Sequence, residues 1–462
     1  MNRPLLLAVA LALSSAASRA DGGFDASAPC PGCNVVLVSF DALQASYVHA
    51  LGNPQRVTPT IDAMADKGVL FAQAVSPAPW TLPAHMSWFT GVEPSVHKVV
   101  NKYLVYPDKL VLSNLKALSP NLVTLAETMR RNGYATGGFT GGAGVSGVFG
   151  FNAGFDVYSD SVPPFTGMEV SAPKAERWLA SLDGKRFFLF LHGYGIHGQY
   201  LPPGGYDRRY VEPAYLGPYD GTPSQQRVLR ELGLRESLDL DPDDVQFWRQ
   251  IYDEKIDRTD AVFAAFLSAL KDMKLDRKTV FVLASDHGSE QFEHGRVDHG
   301  YDLYDELEKV LFVVVSPGIK GGRVVTTQVG TIDLFPTILG LVGVRPTPEL
   351  RRQLVGRNLV PVLEGKKDEG EDVFMETDYR LFTHQRGLRT RDGWKLIHTL
   401  QTDKLELYDL KTDPGERHDL AAAKPELARR LDRRLLAHYE SLGAVSDHWQ
   451  MGCSPVYPDQ CH

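Results

Sequence analysis

Three apolar runs in this sequence each end on side chains that can bind a cation or carry a proton. Val35–Phe40 is followed by Asp41; Phe187–Leu191 by His192 and, five residues further, His197; Val280–Ser285 by Asp286 and His287. Glu293, His294, Asp298 and His299 come soon after the last pair. Carboxylates and imidazoles delivered together suit a divalent cation, because hard oxygen donors with one or two ring nitrogens bind Ca²⁺, Mn²⁺ or Zn²⁺. A different group stands in Ala78-Pro79-Trp80-Thr81-Leu82-Pro83-Ala84-His85. Thr81 before Leu82-Pro83 reads as a helix N-cap. The N–H groups and positive dipole end at such a place stabilise an alkoxide or a bound oxyanion. Alone, Thr81 is a cap; beside the strand-end cluster it is a candidate nucleophile. His85 reads either as a surface helix residue or as a group that holds an anion.

The elements that must position these groups alternate between strand and helix. Val35–Val38, Phe187–Leu191, Val280–Ala284 and Val310–Val315 are near-continuous apolar runs, the pattern of strands buried on both faces. Helices are predicted from Thr58-Pro59 to Gly68, over Asn121–Arg131, and over the long amphipathic stretch Asp241–Lys274. The fold class is α/β: a mostly parallel sheet sandwiched by helices, with a smaller C-terminal α+β subdomain. In such sheets ligands gather beyond the carboxyl ends of the strands, where the polar residues above fall. Arg345-Pro346-Thr347-Pro348 interrupts the pattern. The core is therefore placed at 21–345, the subdomain at 346–445 and a cysteine-containing tail at 446–462. Residues 137–154 hold one match to a dinucleotide fingerprint, Gly142-Ala-Gly144-Val-Ser-Gly147. No amphipathic helix follows it, so a glycine-rich surface loop is expected instead. Residues 200–240, rich in Pro, Gly, Tyr and Arg, read as a surface excursion that helps cover a site.

Residues 1–20, with Arg3, the apolar run Leu5–Leu13 and Ser18-Arg19-Ala20, read as a secretory signal peptide, so a secreted or periplasmic location is expected. No run is long enough to span a bilayer. The chain has 49 Lys and Arg against 57 Asp and Glu, a formal charge of −8, which argues against a nucleic-acid partner. Cys30 and Cys33 lie near one end and Cys453 and Cys461 near the other. In an oxidising compartment they form two local staples or two bridges joining the termini. A Cys-x-x-Cys redox site would need a following helix that is not evident.

Taken with their order along the chain, these segments resemble the sulfatase branch of the alkaline phosphatase superfamily. The resemblance rests on Asn34–Asp41, Trp80-Thr-Leu-Pro-Ala-His85 leading to Thr90-Gly91, Ser285-Asp-His-Gly288, Glu293-His-Gly295, Leu303-Tyr-Asp-Glu306, Thr331–Thr337, Gly356-Arg357 and Leu407–Pro414. It implies Asp41, Asp286 and His287 as metal ligands and Thr81 at the nucleophile position. It further implies that His97, His197 and a histidine of the 294–299 loop, His294 or His299, surround the substrate's anionic group. It implies one divalent ion, Ca²⁺ by family likeness, with Mn²⁺ or Zn²⁺ as alternatives.

The departures from that family carry as much information. Its main members convert the first residue of Cys/Ser-x-Pro-x-Arg to formylglycine, and here that window is Thr81-Leu-Pro83-Ala-His85. Both the modifiable residue and the arginine are missing, and all four cysteines are terminal. A Gly-Lys-Trp-His segment, the source of a lysine and histidine in many sulfatases, is also absent. Threonine at this position resembles the nucleotide pyrophosphatase/phosphodiesterase branch, which holds a second metal with an Asp-x-x-x-His pair. Here the residue four before His197 is Gly193, and one metal is expected.

The sequence therefore predicts a metal-dependent hydrolase of sulfate or phosphate esters. Thr81 would attack, His97, His197 and His294 would act in proton transfer, and His85, His192 and His299 would contact the substrate. The substrate would be a small-molecule, glycan or lipid ester bearing an anion. The alternative is a catalytically retired protein of the same fold that binds an anionic ligand.

Overall fold

The computed structural model describes residues 24–443 apart from 101–103, 106–110, 113–117, 199, 203–204, 235–236 and 380–382. The predicted signal peptide and the tail with Cys453 and Cys461 lie outside the described residues. Cys30 and Cys33 are joined to each other, one local staple.

Eight strands form the main sheet: β1 (Asn34–Phe40), β2 (Val69–Phe71), β3 (Ala135–Phe139), β4 (Val157–Ser159), β5 (Phe187–Gly193), β6 (Thr279–Ala284), β7 (Phe312–Val315) and β8 (Arg323–Val325). Their order is β8-β2-β7-β6-β1-β5-β3-β4. The centre is parallel, as expected, with β1 between β5 and β6. β7 runs antiparallel to both β6 and β2. An apolar run carries no mark of strand direction, which is why the reversal is not visible in the sequence.

Alternate side chains of β1 feed two cores. Val35 and Leu37 face one side with Leu82 and Met86 of helix α1 (Thr81–Thr90), Leu125 and Met129 of α2 (Leu125–Arg131), and Ile338 and Leu341 of α3 (Leu334–Val342). Val36, Val38 and Phe40 face the other with Ile61 and Met64 of the Pro59–Lys67 helix, Ala172 of the Met168–Ala180 helix, and Ile256, Phe263 and Phe266 of the long Pro242–Asp272 helix. Each such side chain contributes about 1.5–3 kcal/mol on full burial, so the central strands are held from both faces.

Two local expectations change. The helix predicted from Asn121 starts at Leu125, because Thr124 and Glu127 form a capping box: Glu127 N–H donates to Thr124 Oγ1 and Thr124 N–H to Glu127 Oε2, each at 3.0 Å. The glycine-rich segment 137–154 is a surface loop only beyond its first residues, with short 3-10 turns at Ala143–Val145 and Gly147–Phe149 and an exposed Val148. Gly137 and Gly138 lie in β3, where an added Cβ would come within 2.8 Å of the Trp178 ring and 2.5 Å of Tyr158. The glycines there admit aromatic packing.

The C-terminal unit is a four-stranded antiparallel sheet (Val373–Thr377, Gln385–Arg389, Trp394–Thr399, Lys404–Asp409) with the Pro425–Ser441 helix on one face. Leu388, Leu396 and Leu407 pack on Leu431 and Leu435, while Met375, Ile397 and Tyr408 face Val75 and Leu303 of the core. Leu350, Leu359 and Leu363 belong to the main core, so the second unit begins in packing terms near Val373. No helix among the described residues is long and apolar enough to cross a membrane.

Candidate active site

Strand register sets the first cluster. Ser39 of β1 pairs with His192 of β5 on one side and with Ala284 of β6 on the other. Two residues beyond, Asp41 and Asp286 therefore leave the same edge of the sheet, and His287 follows. Ala42 adopts φ +60°, which turns its N–H toward Asp286 Oδ1 at 3.1 Å. The phenol of Tyr252, on the long helix, donates to Ala42 O at 2.5 Å and braces this turn.

Asp41, Asp286 and His287 are fully buried, with ligand atoms close enough to share one ion. The His287 ring is oriented by Nδ1, 2.6 Å from the Gly288 carbonyl, so Nδ1–H donates and Nε2 presents a lone pair. That lone pair lies 3.3 Å from Asp286 Oδ2, a buried oxygen that accepts no hydrogen bond. Two acceptors facing one another in a dry site repel unless a proton or a metal ion lies between them. Burial, and then the charge of Asp41, push the Asp286 carboxyl well above the usual carboxylate range. Burial, and then His299 beside it, hold His287 far below its ordinary value, leaving it in the neutral, ligating form. The donor set thus fits a divalent metal.

Thr81 is the first residue of α1, with Trp80 at the cap position and no side-chain cap bond. The expectation that its hydroxyl caps the helix is corrected: Oγ1 lies 3.3 Å from His287 Nε2. Burial of α1 on all sides fixes that direction, since all ten of its residues are buried.

The other predicted residues divide into supports, a second cluster and outliers. His85 Nδ1 faces Thr81 O at 2.9 Å and Asp286 Oδ2 at 3.3 Å, and Nε2 faces Ser39 Oγ at 2.7 Å. Both ring nitrogens are engaged inside the protein, so His85 steadies Asp286 and Thr81. His192 Nε2 meets Asp41 Oδ2 at 3.0 Å, and Nδ1 accepts from Gly141 N–H at 3.4 Å. His97 lies behind α1, its Nε2 against Ser87 Oγ at 3.2 Å and Pro83 O at 3.3 Å, while burial lowers it to about 3. His294 stacks on Tyr304 at 3.8 Å and faces Glu306 at 3.6 Å, apart from the Asp41 cluster. Of the two loop histidines it is His299 that reaches inward: its Nε2 is 2.9 Å from His197 Nε2, and its ring centroid is 4.2 Å from that of His287.

Two cations near this cluster escaped the sequence analysis. Lys255 is buried in the long helix, donates to His197 O at 3.2 Å and is brought down to about 8 by burial. Arg230, from the 200–240 excursion, lies 3.3 Å from Asp298. A signal for the lysine existed, since residue 255 lies among Ile251, Tyr252, Ile256 and Thr259 on the buried face of its helix.

Comparison with known proteins agrees with this architecture. Residues 33–344 match the sulfatase family model, and residues 292–441 match the model for the C-terminal region of N-sulphoglucosamine sulphohydrolase. The chain is 25% identical over 421 residues to a Δ4,5-hexuronate-2-O-sulfatase of Bacteroides thetaiotaomicron, covering 84% of each. It is 22% identical to human arylsulfatase K, covering 87% of this chain and 81% of that one. Among solved structures, the phosphonate monoester hydrolase of Agrobacterium radiobacter superposes with a TM-score of 0.69 at 22% identity, covering 89% and 96% of the two chains. An enzyme solved with its substrate D-glucosamine-2-N,6-O-disulfate superposes with a TM-score of 0.73 at 18% identity, covering 90% and 99%. With its parallel sheet, its cluster of strand-end ligands and a family match spanning most of its length, the chain belongs to the sulfatase family of ester-hydrolysing enzymes.

Proposed function

We propose that this protein is a secreted or periplasmic, metal-dependent hydrolase of sulfate or phosphate esters in which Thr81 is the nucleophile. The observation that carries the proposal is the 3.3 Å approach of Thr81 Oγ1 to His287 Nε2, at the edge of the Asp41–Asp286–His287 group. A divalent ion bound there would supply Lewis-acid stabilisation of the anion and make a neighbouring hydroxyl more acidic. Its identity is Ca²⁺ by family likeness, while the imidazole in the set equally suits Mn²⁺ or Zn²⁺.

Thr81 Oγ, its proton given up to solvent, would attack the sulfur or phosphorus, and the charge of the leaving alcohol would be met at His197 and His299, by a ring proton or by a cation held between them. Water would then cleave the threonyl ester and restore the hydroxyl. A formylglycine hydrate can expel sulfate by regenerating its aldehyde; threonine has no such route, so the second attack by water is required. His85 and His192 hold Asp286 and Asp41 in position, and His97 fixes α1 through Pro83 and Ser87. A sulfated sugar is the favoured substrate class, supported by relatives whose names specify sulfated hexuronate and glucosamine.

The test offers the purified protein aryl sulfate, phosphate monoester, phosphodiester, phosphonate monoester and sulfated disaccharide, each with Ca²⁺, Mn²⁺ and Zn²⁺. Turnover of at least one ester that depends on added metal is expected. Tight binding of the anions with no turnover under any metal would favour the retired, binding-only reading.

A further inference from the structure

We propose that His197, Asp298 and His299 form a second cation site, separate from the Asp41–Asp286–His287 group and suited to Zn²⁺ or Mn²⁺. His299 Nε2 lies 2.9 Å from His197 Nε2 and 3.2 Å from Asp298 Oδ1, and all three residues are buried. Ligands of a tetrahedral ion with bonds of about 2.0–2.1 Å are about 3.3 Å apart, close to both spacings.

Independent features point to a ligand at this place. Asp298 is 2% exposed, and its Oδ1, directed at His299, accepts no hydrogen bond. Its other oxygen is held by Arg230 Nη1 at 3.3 Å, so the carboxylate is anchored on one side and presented on the other. Outer contacts of this kind orient metal-binding carboxylates. The backbone of Asp298 has φ +84°, a conformation that persists in a non-glycine residue where the surroundings enforce it. Lys255 Nζ donates to the His197 carbonyl and fixes the turn that carries that ring.

The sequence lacks a carboxylate four residues before His197, where Gly193 stands at the end of β5. The structure supplies one from another element, the short ribbon of Glu290–Gln291 and Val297–Asp298. Arg230 and Lys255 already place two positive charges near Asp298, which disfavours a purely ionic oxygen-seeking cation. Coordination through two imidazole nitrogens favours Zn²⁺ or Mn²⁺ instead. Without an ion, the contact between the two Nε2 atoms holds one proton. An ion bound through both Nε2 lone pairs takes the place of that contact, and the proton moves to Nδ1 of its own ring as the other tautomer. The His287 ring, 4.2 Å from that of His299, would form the wall between the two ions.

The test is a metal inventory that does not depend on turnover. Full-length protein stripped with chelator and dialysed against Zn²⁺, or Mn²⁺ in parallel, is analysed for bound metal, with circular dichroism as the check on folding. Two equivalents are expected for the native chain and one for Asp298→Asn and for His299→Ala. Asp286→Asn is expected to lose the first equivalent and keep the second. Retention by Asp298→Asn and His299→Ala of every equivalent the native chain binds would overturn the proposal, as would loss of all bound metal in Asp286→Asn. Failure here with intact hydrolysis through Thr81 would leave the proposed function standing.

Discussion

Thr81 Oγ1 and His287 Nε2 are 206 positions apart in the chain and 3.3 Å apart in space. One begins a helix and the other follows a central strand, and the pairing of β1 with β6 keeps that strand in place. The His287 ring cannot turn away, because Nδ1 is tied to the Gly288 carbonyl at 2.6 Å. The threonine hydroxyl thus faces a nitrogen whose lone pair is available for a proton or a metal.

Removal of metal should abolish turnover and weaken the fold. A ligand present at 100 times its dissociation constant stabilises the native state by about 2.7 kcal/mol. Thermal melts with and without chelator, followed by metal add-back to the same sample, check both effects. Activity that persists after exhaustive chelation would contradict the metal assignment.

His192 should act on metal affinity rather than on chemistry. Its Nε2 orients Asp41 at 3.0 Å from inside the sheet, and loss of such a contact costs about 10–100-fold in affinity. His192→Ala is expected to need more metal for half-maximal activity, with kcat approaching the native value at saturation. A kcat loss that metal cannot rescue would show that His192 contacts the substrate.

Glu290 should make stability depend on pH. Burial, and then the charge of Asp302, push its carboxyl up to about 8. The unfolded chain loses this proton near 4.5, the ordinary value of the group, and the folded chain near 8, so the native state binds more protons between those values and loses stability as pH rises through them. Oε1 accepts from the N–H groups of His294 and Arg296, contacts that glutamine can keep. Glu290→Gln is therefore expected to be more stable than the native chain above pH 8, with the gain shrinking toward pH 4.5. Urea titrations of both proteins across that range measure it.

Lys395 should be a point of failure for the contact between core and C-terminal unit. Fully buried, its ammonium lies 2.9 Å from both Asp305 and Glu416. Lys395→Met leaves two buried carboxylates without their cation, at a cost of about 3–5 kcal/mol. Denaturant unfolding should show that loss, while a change under 1 kcal/mol would mean that Arg389, which also reaches Asp305, is sufficient.

Much of this site could be read in the sequence because strand ends announce themselves. Asp41, Asp286 and His287 follow apolar runs, and the run fixes where the next polar residue must emerge. Ring direction is a different kind of information. His294 and His299 are five residues apart on one ribbon, yet one stacks outward on Tyr304 and the other meets His197. Tertiary packing decides this, and no local pattern encodes it. The same holds for Arg230 and Asp298, which come from separate segments and meet once the 200–240 excursion folds over the site. The reversed direction of β7 was hidden because a buried strand reads alike both ways. The strand-like character of Gly137-Gly138 was hidden because it depends on Trp178 and Tyr158 packing against bare backbone.

Replacement of Thr81 tests the central claim most directly. On an ester the native protein hydrolyses, Thr81→Ala should lower kcat/KM by about 10³-fold or more, as loss of a nucleophile does. Thr81→Ser, which keeps a hydroxyl at the same helix position, should retain measurable metal-dependent turnover, and both variants should bind metal at the Asp41–Asp286–His287 group. Hydrolysis by Thr81→Ala within tenfold of the native rate, with the metal still bound, would contradict the account.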